Sequence, residues 1–90
     1  MNEKCVKFTV TGFVQGVGFR YHTCHQGLQL GLNGYAKNLP NGDVEVMVLG
    51  QDDAIDKMAA WLQQGPRTAS VNHVTREDAP LTTYRGFEIL

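Results

Sequence analysis

One segment of this chain, Gln15-Gly16-Val17-Gly18-Phe19-Arg20, combines residue types that could hold an anion. Glycines at 16 and 18 relieve the steric cost of positive φ, so that successive backbone N–H groups can face one concavity. A helix opening just after the loop adds unpaired N–H donors and a partial positive charge. Phosphate or carboxylate is the matching chemistry. Arg20 stands at the lip of that helix, and its guanidinium fork suits bidentate contact with phosphate. A glycine loop alone is weak evidence, and an ordinary strand-to-helix turn with a solvated Arg20 is the simpler account of it. Two phosphate-loop patterns are excluded. The dinucleotide pattern needs a glycine where Tyr21 stands, and no Gly-Lys-Ser/Thr ending follows.

Positioning such a loop requires a strand before it and a helix after it. Lys4 to Val14 alternates, with Val6, Phe8 and Val10 on one face, as a half-buried strand does. Arg20 to Gly31 changes period: Tyr21, Cys24, Leu28 and Gly31 define the apolar stripe of a helix without a capping side chain. Gly27 is unfavourable in mid-helix by about 1 kcal/mol, so a close approach to the sheet is expected there. Gly34 to Leu39 and Asp43 to Leu49 read as strands joined by Pro40-Asn41-Gly42, a hairpin signal. Asp52 and Asp53 open a second helix with Ile55, Met58, Ala59 and Leu62 as its stripe, ended by Gly65-Pro66. Val71 to Glu77 is a weaker strand, and Gly86 to Leu90 closes the chain with Phe87 and Ile89 alternating.

This order predicts a βαββαβ sandwich, with two helices on one face of a four- to five-stranded antiparallel sheet. The first two strands are then parallel, with the third between them. Their C-terminal ends share one edge of the sheet. One end feeds Gln15 to Arg20 and the other carries Asn38, about 10 Å away across the intervening strand.

Composition sets the limits. The chain has 90 residues and a net charge of −1, from eight basic and nine acidic side chains. A single domain over residues 1–90 is expected. No broad positive field is available for nucleic acid, so an anion must be held by a local site. No apolar run approaches the ~20 residues of a membrane span. No secretory signal is read at the N-terminus, and a cytoplasmic location is expected. Cys5 and Cys24 follow no metal spacing. They also start too far apart for a bridge: ten strand residues span ~33 Å, and the helix returns only ~7 Å by Cys24.

Against this background, Gly12-Phe13-Val14-Gln15-Gly16-Val17-Gly18-Phe19-Arg20 resembles the first motif of the acylphosphatase family, G-x-V-Q-G-V-x-F-R, at every fixed position. Gly34-Tyr35-Ala36-Lys37-Asn38, then Gly42, Val44 and Gly50, is similar to its second motif at the expected spacing. The resemblance runs end to end. It implies a ferredoxin-like fold and hydrolysis of acyl phosphates to a carboxylate and inorganic phosphate, without metal or cofactor. It implies that Arg20 binds phosphate, that Asn38 holds the attacking water, and that the amides of Gln15, Gly16, Val17, Gly18 and Phe19 complete the cradle. The partners it implies are a small acyl phosphate and inorganic phosphate, with no nucleic acid, no membrane and a monomeric chain. Gly27 departs from the family's frequent alanine, which bears on stability rather than on the site.

Other constellations have plainer readings. His22 and His25 lie on the polar helix face without a completing ligand, and His73 has no partner. Asp52, Asp53 and Asp56 suit the positive end of a helix better than a metal. Trp61 sits at the edge of an apolar stripe. Two competing functions remain: an RNA-binding module on the open sheet face, and a phosphate- or carbamoyl-phosphate-binding module that does not turn over. Consumption of an acyl phosphate separates the enzyme from both.

Overall fold

The computed structural model describes residues 2–90. The elements are β1 (Glu3–Phe13), α1 (Phe19–Gln29), β2 (Asn33–Asn38), β3 (Val44–Gln51), α2 (Asp52–Gln64), β4 (Ser70–Ala79) and β5 (Phe87–Ile89). They form one five-stranded sheet in the order β4-β1-β3-β2-β5. β1 and β2 both pair antiparallel with β3 and so run parallel to each other, as expected. Alternation buries Val6, Phe8 and Val10 of β1 and Val44, Val46 and Val48 of β3 beneath the helices.

The sheet is not antiparallel throughout, because β5 pairs parallel with β2 at the far edge from β4. The geometry of the crossing explains this. β4 ends with Ala79 opposite Cys5, at the end of the sheet where β1 and β2 begin. Residues 80–86 then cross the open face. Seven extended residues reach about 23 Å, enough for the four strand spacings, about 19 Å, from β4 to β5. The chain arrives beside Gly34 at the start of β2 and can only follow β2 in its own direction. Cys5 Sγ anchors the crossing on both backbone groups of Thr82, and Tyr84 packs edge-on against Tyr35. The Tyr35 hydroxyl donates to Glu45 at 2.6 Å. Burial and this carboxylate push the Tyr35 pKa above the usual tyrosine range.

The stripe expected on α1 is not the buried one. Tyr21 and Leu28 are exposed (64% and 54%), while Phe19, Thr23 and Gly27 face the core. The reason lies at Gly27. A Cβ there would stand 2.4 Å from the Phe87 ring, so the helix approaches β5 through its smallest residue. The side chains that pack are selected by that close approach, not by hydropathy. Cys24, half-buried, donates its thiol to the Phe87 carbonyl at 3.1 Å. Both cysteines are free thiols.

α2 follows its pattern. Ile55, Met58 and Leu62 are fully buried, and the Trp61 ring meets Phe19 of α1 at 6.2 Å. Its acids are engaged locally: Asp52 pairs with Lys4, Asp56 with Arg76, and Asp53 accepts from the Ala54 N–H. No helix among the described residues is long and apolar enough to cross a membrane.

Near the site the β1–β4 register shifts between Thr11 and Gly12, where Asn72 of β4 is the extra, unpaired residue. Gly12 has φ 130°, and a Cβ there would fall 2.2 Å from the Ser70 carbonyl oxygen. Neither the torsion nor the backbone neighbour tolerates a side chain. Gly12→Ala should therefore lower unfolding free energy by more than about 2 kcal/mol. Urea titration reads this directly, and an unchanged midpoint would show that β1 and β4 separate there without strain.

Candidate active site

The loop after β1 is built from opposed constraints. Val14 is buried in the core and fixes the point of departure. Gly16 and Gly18 have φ of 76° and 79°, whereas among the described residues none other than glycine has positive φ, so Val17 between them has φ of the opposite sign. Such alternation turns successive N–H groups toward one concavity. The Thr68 hydroxyl donates to the Val17 carbonyl at 2.7 Å. In a trans peptide the following N–H points the other way, so this bond also aims the Gly18 amide.

Gly18 caps α1 without a side-chain bond, and the first intrahelical bond runs from the His22 N–H to the Gly18 carbonyl at 3.1 Å. The N–H groups of Phe19, Arg20 and Tyr21 precede that bond and have no helical acceptor. No acid occupies the first turn. The positive end of the helix dipole is therefore uncompensated at the loop. Phe19, buried beneath, holds the helix start in place.

Arg20 Nη1 donates to the Leu90 backbone oxygen at 2.6 Å. This bond orients the guanidinium and uses one of its five N–H donors, leaving four for an anion. Leu90 is placed there by β5, since its own N–H bonds to the Ala36 carbonyl at 2.8 Å.

Asn38 is the last residue of β2 and lies opposite Val44, itself opposite Val10 of β1. Two strand spacings, about 10 Å, thus separate Asn38 from β1, as the topology requires. Asn38 alternates with the buried Gly34 and Ala36 and so faces the helix side. Its Oδ1 is buried with no hydrogen-bond partner; among the described residues the only other such side-chain atom is Thr23 Oγ1. The Gln15 side chain closes the gap from the loop. Its Nε2 donates to the Leu39 carbonyl at 2.7 Å and to the Asp43 carbonyl at 2.8 Å.

The structure therefore brings loop 15–18, the N-terminus of α1, Arg20 and the end of β2 to one edge. Sequence reasoning missed Thr68 and the Leu90 backbone oxygen, which lie 51 and 70 residues from their partners. Neither stands in a periodic or motif position. His22 and His25 are exposed on α1, and His73 is exposed on β4. Among the described residues no three His, Cys, Asp or Glu side chains gather in a way that could hold a metal.

A family model described as acylphosphatase matches residues 6–89. An acylphosphatase of Vibrio parahaemolyticus is 64% identical over 90 residues, covering all of both chains. One of Vibrio cholerae is 59% identical over 91 residues, again covering both fully. The solved structure of an acylphosphatase from Coxiella burnetii superposes with a TM-score of 0.94 at 39% identity, covering 99% of this chain and 94% of its own.

An unpartnered buried oxygen costs stability, about 1–3 kcal/mol. Asn38→Leu, of similar size and without that oxygen, should unfold at equal or higher urea concentration than the wild type. A clear fall in the midpoint would mean that Oδ1 is satisfied in solution.

Proposed function

The chain belongs to the acylphosphatase family, hydrolases that act on acyl phosphates, and we propose that it works by holding the phosphoryl group between Arg20 and the 15–19 amides while Asn38 orients the attacking water. The observation that carries this assignment is the convergence of a donor-rich loop with an unpartnered acceptor. Gln15 of the loop bonds to the carbonyl of Leu39, the residue next to Asn38.

The chemistry asks little of any one residue. Phosphoryl transfer to water needs charge stabilisation and alignment more than covalent catalysis. Arg20 supplies the only formal positive charge the assignment uses. The loop amides and the helix terminus add donors that need no reorganisation during the reaction. Asn38 Oδ1 accepts a hydrogen bond from water and turns its lone pair toward phosphorus, a proximity effect. An amide cannot take the proton at neutral pH, so the substrate's own phosphoryl oxygen receives it. The leaving carboxylate is stable as an anion and needs no acid from the protein. The same reading makes the enzyme a cytoplasmic monomer acting on small acyl phosphates. The cytoplasmic location is supported by free thiols at Cys5 and Cys24.

The test is hydrolysis of benzoyl phosphate by the purified chain in excess EDTA. Fast turnover by the wild type is expected. Arg20→Gln should lose both turnover and inhibition by inorganic phosphate, because the anion loses its charged partner. Asn38→Ala should lower kcat by about 100-fold or more, with phosphate inhibition nearly intact. Full activity in Arg20→Gln would sink the assignment. Loss of phosphate inhibition in Asn38→Ala would move Asn38 to anion binding.

A further inference from the structure

We infer that the side chain of Gln15 is a positioning residue for hydrolysis, one that sets the separation between the phosphate cradle and Asn38. The inference rests on the site assignment above. Its own observation is the pair of hydrogen bonds from one amide nitrogen, to Leu39 at 2.7 Å and Asp43 at 2.8 Å.

Those two carbonyls are not arbitrary acceptors. They close the β2–β3 hairpin: the Leu39 N–H bonds to the Asp43 carbonyl at 2.9 Å, and the Gly42 N–H to the Leu39 carbonyl at 3.1 Å. Each carbonyl has a second lone pair to offer, and Gln15 takes both. The donor has to be the NH₂ group, since a carboxamide oxygen facing two carbonyls would repel them. Both of its hydrogens are consumed, so this nitrogen offers nothing to a substrate. Gln15 therefore acts on the reaction through its neighbours.

What it joins is what the sheet leaves apart. β1 and β2 are not hydrogen-bonded to each other, because β3 lies between them. Beyond Val10 β1 pairs only with β4, and beyond Asn38 β2 runs out into its hairpin loop, so no ladder ties these two ends together. Thr68 holds the far part of the cradle to the segment before β4, on the other side of β1. Gln15 is the direct tie from the cradle to the segment that continues from Asn38. A shift of about 1 Å between an anion site and the group that aligns the nucleophile is enough to cost up to about 100-fold in rate.

The experiment is a double-mutant cycle with benzoyl phosphate, using Gln15→Met, Asn38→Ala and the pair. Gln15→Met keeps the length of the side chain and removes both donors. Its kcat should fall about 10- to 100-fold, with inhibition by inorganic phosphate changed less than about 3-fold. In the Asn38→Ala background the same substitution should change kcat by less than about 3-fold, because there is no oriented water left to misplace. Equal losses in both backgrounds would overturn the inference, as would phosphate inhibition weakened in proportion to the loss of rate. If Asn38→Ala alone keeps full kcat, the site assignment has failed, independently of what Gln15→Met does. Should Gln15→Met not fold, Gln15→Glu replaces it. An ionised carboxylate cannot donate to two carbonyls, whereas the protonated acid donates once. Its kcat relative to wild type should then rise as pH is lowered from about 7 to 5. A flat ratio would overturn the inference.

Discussion

Backbone amides hold an anion only when the carbonyls of the same peptides are held elsewhere. This constraint organises the whole edge of the molecule. The Val17 carbonyl is turned to Thr68, and the peptide it belongs to therefore presents the Gly18 N–H in the other direction. Gly16 and Gly18 provide the left-handed torsions that make the arrangement affordable, and Val14 and Phe19 pin its two ends in the core. Under the proposed assignment, a protein with net charge −1 gains a positive site in this way, from dipoles and one guanidinium rather than from a basic surface.

The rest of the fold brings partners to that edge from distant parts of the chain. β4 supplies the frame on one side of β1, and the segment before it delivers Thr68. The crossing over the open face carries the chain to the opposite edge, where β5 lays the Leu90 backbone oxygen against Arg20. α1 is pressed onto β5 at Gly27, and its register places Arg20 within reach of Leu90. The crossing also occupies part of the open sheet face. Tyr35 is covered edge-on by Tyr84 and its hydroxyl is committed to Glu45, while Lys7 lies 3.8 Å from Glu77. These side chains are engaged with one another within the sheet.

A buried carboxamide oxygen without a donor is a cost that a folding domain tends to avoid. Asn38 Oδ1 stands without a donor at the end of β2, on the helix side of the sheet.

The elements and their order were legible in the chain itself. Alternation in β1 and β3, the stripe of α2 and the Asn41-Gly42 hairpin are local patterns, and local patterns report secondary structure. From their order alone, Asn38 and the 15–20 loop had to share an edge, one strand apart. The glycines of the loop were legible too, but only two motifs at the right separation marked the chain as a family member, since a glycine loop alone reads equally as a plain turn. The tertiary structure decided three further things. It chose the buried face of α1, because the Phe87 ring admits Gly27 and not a larger residue, and hydropathy periodicity does not see a partner 60 residues away. It turned β5 parallel, because a crossing that begins where β2 begins must run with β2. And it supplied the ties of Gln15, Thr68 and Leu90, which are made between backbone oxygens and distant side chains. Every residue has a backbone oxygen, so no residue type or spacing marks those acceptors, and only the folded chain brings them within hydrogen-bond reach.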